Sequence, residues 1–125
     1  MSRWLVDGMN VIGSRPTGWW RDRPGAMRDL ADELAAFAAA SGEEVAVVFD
    51  GKPFELAAPH VDVAFASRRG PDAADDDIAD RVAADPEPAD LLVVTSDAAL
   101  AKRARDAGAE VVGAGAFRRR LDELG

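Results

Sequence analysis

Two hydrophobic patterns alternate along this chain, and the simpler one is a short, unbroken apolar run. Such runs predict strands at residues 3–7, 45–49, 61–66, 91–94 and 111–112. The runs at 45–49 and 91–94 are the clearest, and unbroken apolar runs are typical of parallel strands buried on both faces. The sequence therefore predicts a mainly parallel sheet.

The second pattern has the period of a helix. Met27, Leu30, Leu34 and Phe37 recur at steps of three and four, which predicts a helix from about residue 25 to residue 40. Further helices are predicted at residues 72–84, from 98 to about 107, and around Phe117, Leu121 and Leu124. Because strands and helices alternate, we predict an α/β fold. Residues 1–125 would form a single-domain, three-layer α/β/α sandwich with helices on both faces of the sheet.

Three predicted strands end in an acidic residue, namely Asp7, Asp50 and Asp97. Gly8 directly follows the first of these acids, where a residue without Cβ permits a sharp turn. The carboxyl ends of parallel strands meet at one edge of a sheet, and ligands bind outside that edge. We therefore expect these carboxylates to share one crevice, with Asn10 nearby.

A fourth acidic group, Asp75-Asp76-Asp77, lies near the start of the predicted helix 72–84. Asp75 precedes the inward-facing Ile78 by three residues, so it is the best candidate for the crevice, and Asp76 is the second. Asp77 is predicted to face solvent.

Each acid also has an ordinary explanation. Asp97 or Ser96 is suited to cap the helix that follows, Asp50 precedes a glycine as turn residues do, and acids are favoured near a helix N-terminus. It is less probable that four acids occupy matching places for four separate ordinary reasons than that they form one functional site.

The composition narrows the chemistry that such a site can carry. The chain has no cysteine and one histidine, His60, which excludes disulfides, thiolate zinc sites and a cysteine nucleophile and argues against a serine–histidine triad. Converging carboxylates repel one another, and a hard divalent cation such as Mg²⁺ removes that cost. The predicted metal ligands are Asp7, Asp50, Asp75, Asp76 and Asp97.

The formal net charge of −8 is unevenly distributed. Most of the acidic excess lies in residues 72–90, and arginine clusters elsewhere keep a polyanionic partner open. The residues considered for phosphate binding are Lys52, Arg68, Arg69, Thr95 and Ser96, although the last two are equally suited to capping and the arginines to ordinary surface. Trp19-Trp20, between arginines, is suited either to stacking on bases or to packing over the helix 27–37. Arg118-Arg119-Arg120 is interpreted as a solvated helix face.

No signal peptide is recognisable at the start of the sequence. No apolar run approaches the roughly 20 residues that cross a bilayer. We therefore expect a cytoplasmic protein without a membrane partner, and the oligomeric state stays open.

The ordered motifs resemble those of the YacP-like branch of the NYN domain family, within the PIN-like nuclease fold. They are residues 6–13 (VDGMNVIG), 48–51 (VFDG), 74–78 (ADDDI) and 93–97 (VVTSD). The resemblance implies a ribonuclease that uses Mg²⁺ or Mn²⁺ and acts on RNA, with the ribosome as a further candidate partner. It also implies that the family's acids correspond to Asp7, Asp75 and Asp97, supported by Asp50 and Asn10.

Three functions are therefore compared. The leading one is a metal-dependent endoribonuclease with Asp7, Asp75, Asp97 and Asn10 in its catalytic site. The second is a catalytically silent RNA- or ribosome-binding module of the same fold. The third is a small-molecule phosphohydrolase, which usually has a second acid two residues after its aspartyl nucleophile; here that position is Met9.

Overall fold

The computed structural model describes residues 2–70 and 72–124. Within them, five strands form an all-parallel sheet in the order β3-β2-β1-β4-β5. The strands are β1 (Arg3–Asp7), β2 (Glu44–Phe49), β3 (Val61–Phe65), β4 (Leu91–Val94) and β5 (Glu110–Val112). All five strands that the apolar runs predict are present, each within a residue of its predicted bounds.

The helices are α1 (Gly8–Ile12), α2 (Arg23–Ser41), α3 (Ala73–Ala84), α4 (Ala98–Asp106) and α5 (Ala114–Leu124). Short 3₁₀ turns lie at Trp19–Arg21 and Pro88–Asp90. The helix α1 is absent from the sequence prediction, because five residues are too few to display a helical period. It matters for function, since it begins directly after Asp7.

The helices cover both faces of the sheet, as predicted. On one face α1, α2 and α5 pack against Trp4, Val6 and Val47. On the other face α3 and α4 pack against Leu5, Val48 and Val93. The chain is thus a single-domain three-layer α/β/α sandwich.

One surface interpretation is wrong. Arg118 is buried rather than solvated, because α5 packs beside α2 and brings its guanidinium to Glu33 and Asp122. A charged residue is buried this way only when paired, and the sequence pattern gives no sign of a partner so distant in the chain.

The sheet order also indicates the edge at which a ligand is expected to bind. β1 pairs with β2 on one side and with β4 on the other, so the chain reverses its direction of winding at β1. In open α/β sheets this switch point, at the carboxyl ends of the strands, is where ligands bind. No helix in the described part of the chain has the length and apolar character of a membrane span.

Candidate active site

Two of the strand-end acids, together with Thr95, point to the same side of the sheet. Residues two apart on a strand share a face. Leu5, Val48 and Val93 all contact the layer formed by α3 and α4. Asp7, Asp50 and Thr95 each come two residues later and therefore continue toward that layer at the edge of the sheet.

Asp7 and Thr95 lie side by side because of the register between β1 and β4. Val6 is level with Val94, which places the next residue of each strand together. The Thr95 hydroxyl donates to Asp7 Oδ2 at 3.0 Å, and both residues are buried. The same hydroxyl oxygen accepts the Asp97 backbone N–H at 3.1 Å. One threonine thus links the ends of two strands and fixes the carboxylate of Asp7.

Asp97 caps α4, as the capping interpretation predicts. Its Oδ1 accepts the backbone N–H of Leu100 at 2.9 Å. This bond occupies one carboxylate oxygen and holds the side chain at the start of the helix, beside the end of β4. Capping and a role in the crevice are compatible, since a carboxylate has a second oxygen.

Asp50 connects the end of β2 to α3. Its Oδ1 accepts the backbone N–H of Ala74 at 3.1 Å. Asp75 is the next residue of α3 and is half-buried. The bond thus attaches the first turn of α3 to the sheet edge, at the point where that helix carries its acids.

The charges of these carboxylates influence one another. Burial raises the pKa of Asp7 to about 7, the Thr95 hydrogen bond partly opposes this, and the charges of Asp75 and Asp50 raise it further. The pKa of Asp75 is also raised, to about 6, mainly by burial and next by the charge of Asp97. No basic side chain in the described residues pairs with these four acids. The cluster therefore carries an uncompensated repulsion.

Asp76 has a different environment from Asp75. It forms ion pairs with Arg68, after β3, and with Arg103 of α4 at 2.9 Å. The hydrogen bond from Arg103 and then that from Arg68 lower its pKa. Arg103 was not singled out from the sequence, because its partner lies on a different helix. The two arginines place positive charge next to the acid cluster.

Asp77 is half-exposed, and its carboxylate is engaged in exposed hydrogen bonds rather than free in solvent. Its Oδ2 accepts the Ser67 backbone N–H at 2.6 Å, and its Oδ1 accepts the Ser67 hydroxyl at 2.8 Å. The side chain therefore secures the connection between β3 and α3. Lys52 and Arg69 are exposed on the loops after β2 and β3, at the same edge of the sheet.

Asn10 and Ser96 join the segments that surround the acids. Asn10 Oδ1 accepts the Ser96 backbone N–H at 2.7 Å, which ties α1 to the loop after β4. The Ser96 hydroxyl oxygen accepts the backbone N–H of Ala114 at 2.9 Å, which attaches the start of α5. Both side chains have an organising role that sequence spacing alone did not reveal.

Gly8 is required for a reason other than a turn. It is the first residue of α1 and has no left-handed φ. A Cβ at this position would lie 2.5 Å from the Phe49 ring and 3.0 Å from Val47. The expected sharp glycine turn is thus replaced by close packing of α1 against β2, which holds α1 at the end of β1.

The donor chemistry fits a hard divalent cation. The acids supply oxygen ligands of the type that Mg²⁺ and Mn²⁺ prefer, and their mutual repulsion is the cost that a cation would remove. In residues 2–70 and 72–124, no three acidic or histidine side chains are grouped as ligands around one point.

Solved structures with the same architecture are known. Rae1 (YacP) from Bacillus subtilis superposes with a TM-score of 0.78, at 26% identity, over 99% of this chain and 75% of that chain. A mutant form of the same protein gives a TM-score of 0.82 at 26% identity, over 99% of this chain and 77% of that one.

Sequence comparison agrees. A UPF0178 protein of Xanthomonas oryzae pv. oryzae (strain PXO99A) is 39% identical over 99 residues, 79% of this chain. The aligned part is 58% of that relative, so the chain spans little more than half of its length. The profile of the YacP-like NYN domain matches residues 4–125. The chain therefore belongs to the YacP-like NYN domain family.

Proposed function

We propose that this protein is a metal-dependent endoribonuclease that hydrolyses RNA phosphodiester bonds at the carboxylate cluster. The observation that carries the proposal is the set of four acids at the carboxyl edge of the sheet, which have no ion-pair partner in the described residues and two of which have raised pKa values. Asp7 is buried and the other three are partly buried, and clustered acids with perturbed pKa values are characteristic of functional sites. Membership of the NYN family supports RNA as the substrate.

In this proposal Asp7, Asp75 and Asp97 hold the divalent cation, Mg²⁺ or Mn²⁺, and Asp50 contributes from the end of β2. Asp76 is the weakest of the proposed ligands, because Arg68 and Arg103 already bind its carboxylate. When bound, the cation supplies a more acidic water and stabilises charge on the phosphoryl group.

The protein's own contribution is the rigidity of the donors. Thr95 fixes the rotation of the Asp7 carboxylate, and the caps at Leu100 and Ala74 fix Asp97 and Asp50. Asn10 holds the loop that carries Thr95 and Asp97 against α1. Positioned donors avoid reorganisation during the reaction, which is how preorganised sites lower a barrier.

The substrate phosphates meet the basic rim of the crevice. Arg68, Arg69 and Lys52 lie on loops at the edge where the acids end, and Ser96 is exposed on the loop after β4. Arginine suits phosphate recognition because its planar fork donates two parallel hydrogen bonds. Positive charge here also offsets the repulsion between the acids and the RNA backbone.

The test is a set of isosteric variants, with metal binding and cleavage measured separately. Asp7→Asn removes charge but keeps an acceptor for Thr95, so we expect Mn²⁺ binding by calorimetry and cleavage of a labelled RNA to be lost together. RNA affinity in EDTA should stay within about twofold. Asp80→Asn is the matched control, since Asp80 lies on α3 but is exposed and makes no side-chain bond in the described residues.

The outcomes separate the candidate functions. Loss of Mn²⁺ binding and cleavage in Asp7→Asn, with Asp80→Asn unchanged, supports the nuclease. RNA binding by the wild type, with neither Mn²⁺ binding at millimolar concentration nor metal-dependent cleavage, contradicts it and leaves the binding module.

A further inference from the structure

The exposed Trp20 is the feature that the proposed site does not explain. Trp20 and Leu124 are the large hydrophobic side chains exposed in the described residues, and 54% of the Trp20 surface is accessible. Trp20 lies in the 3₁₀ turn Trp19–Arg21, between α1 and α2. A single exposed apolar side chain is ordinary on a protein surface, so the groups around Trp20 decide whether it can bind a ligand.

The neighbouring Trp19 anchors this segment to the core. Trp19 is half-buried and packs against the cluster formed by α1, α2 and α5. Its ring also approaches Gly13, the residue that ends α1, and the Trp20 ring meets it edge-on at 5.9 Å between centroids. The expectation that both tryptophans pack over α2 thus applies to Trp19 alone. Trp20 packs on the Trp19 ring, and much of its own surface stays accessible to solvent.

The anchor also relates Trp20 to the acid cluster. α1 begins directly after Asp7 and is five residues long, about 8 Å at 1.5 Å per residue. Trp19 lies close to Gly13, at the far end of α1, and α2 then runs back along the sheet toward the start of β2. Trp20 therefore lies at the carboxyl edge of the sheet, on the side of the layer formed by α1, α2 and α5, whereas Asp7 and Asp50 face the layer formed by α3 and α4.

The charge around Trp20 is positive. Arg21 and Arg23 follow it, both are exposed, and neither forms an ion pair within residues 2–70 and 72–124. The acid between them, Asp22, is engaged at the N-terminus of α2, where its Oδ1 accepts the Gly25 N–H at 3.0 Å. Arg23 lies over the Trp19 ring at 5.5 Å, which leaves Trp20 as the accessible aromatic of the pair.

We infer that Trp20 is a base-stacking position for single-stranded RNA, with Arg21 and Arg23 contacting the adjoining phosphates. Single-stranded nucleic acids are bound by aromatic rings that stack on bases beside cations that follow the backbone. The inference rests on the proposed function for its substrate class and adds the residues that position the strand. An apolar protein partner would bind Trp20 by burying its apolar surface. Such binding would need neither the π-face of the ring nor the unpaired arginines beside it.

The experiment measures binding without cleavage. Fluorescence anisotropy in EDTA follows fluorescein-labelled 12-mers of oligoadenylate and oligouridylate on wild type, Trp20→Ala, Trp20→Phe and Trp20→Leu. Loss of one stacking contact should raise the Kd of Trp20→Ala by about fivefold to a hundredfold. Trp20→Phe should retain most of the affinity, and Trp20→Leu, with a similar apolar area but no π-face, should resemble Trp20→Ala. Leu124→Ala is the control for an exposed hydrophobic residue elsewhere and should bind like wild type.

Arg21→Gln tests the phosphate contact separately. It should weaken both oligonucleotides equally and reduce the slope of log K against log salt by about one. In the cleavage assay, Trp20→Ala should raise KM with kcat little changed, because Trp20 is a positioning residue.

Failure of this inference is distinguishable from failure of the nuclease proposal. If Trp20→Ala binds within twofold of wild type, or if Trp20→Leu binds as well as wild type, stacking is refuted even when wild type cleaves. If Trp20→Ala loses affinity while wild type shows no metal-dependent cleavage, the stacking position stands and the nuclease proposal falls.

Discussion

The free energy stored in the buried carboxylate of Asp7 yields a quantitative prediction. Asp7 is 4% exposed, and burial is the main reason that its pKa rises from 3.8 to about 7. Each unit is worth about 1.4 kcal/mol, so full ionisation of this group costs the folded protein about 4 kcal/mol. That is a large share of the roughly 5–15 kcal/mol that stabilises a typical domain.

The direction of the pH dependence of stability follows from which state, folded or unfolded, holds the proton on Asp7. Between pH 4 and pH 7 the folded protein keeps a proton on Asp7 that the unfolded chain has released, so stability falls as the pH rises through this window. The loss is complete above the folded pKa. Asp75, whose pKa is raised to about 6, acts in the same direction. Metal-free wild type should therefore be less stable at pH 8 than at pH 5.

Asp7→Asn removes the titrating carboxyl group and keeps the size and shape of the side chain. The variant should be more stable than wild type by about 2 kcal/mol at pH 5 and about 4 kcal/mol at pH 8, so the gap widens by about 2–3 kcal/mol. Urea unfolding in EDTA at the two pH values measures it. Mn²⁺ should stabilise wild type at pH 8 and leave Asp7→Asn unaffected, since a ligand of the folded state adds stability only where it binds.

A result that would refute this reasoning is a constant difference between the two proteins across pH 5–8. It would mean that Asp7 is ionised throughout, as a solvated carboxylate would be. A wild type that grows more stable toward pH 8 in EDTA would contradict the uncompensated repulsion itself.

Three further substitutions test the architecture of the site. Thr95→Val removes the hydroxyl that donates to Asp7 and accepts from Asp97, so urea unfolding at pH 8 should show a loss of about 1.5–3 kcal/mol, and Thr95→Ser should restore most of it. Gly8→Ala places a methyl group against the Phe49 ring and should cost about 1–3 kcal/mol, partly recovered when Phe49→Leu is added. Asp97→Asn keeps a good helix cap, so thermal melting should change little while metal-dependent cleavage is lost; equal losses of both would assign Asp97 to capping alone.

The sequence by itself determined the layers and the edge of the sheet where the acids accumulate. Unbroken apolar runs define buried parallel strands, and the 3.6-residue period of α2 defines its buried stripe, because both patterns are local consequences of burial. Parallel strands end at a common edge, so Asp7, Asp50 and Asp97 could be assigned to one crevice from their positions after the runs. The choice of Asp75 from its spacing to Ile78 depended on the same local geometry.

Only the tertiary structure decided which side chains meet. Thr95 reaches Asp7 because β4 pairs with β1 in one particular register, and Asp76 meets Arg103 because α3 and α4 are neighbours. The burial of Arg118 and the need for glycine at Gly8 likewise arise from packing between elements far apart in sequence. Strand register and helix contacts are set by the whole fold, so no window of the sequence contains them. The sequence marks where carboxylates accumulate, and the fold determines which of them are restrained, paired or left to repel.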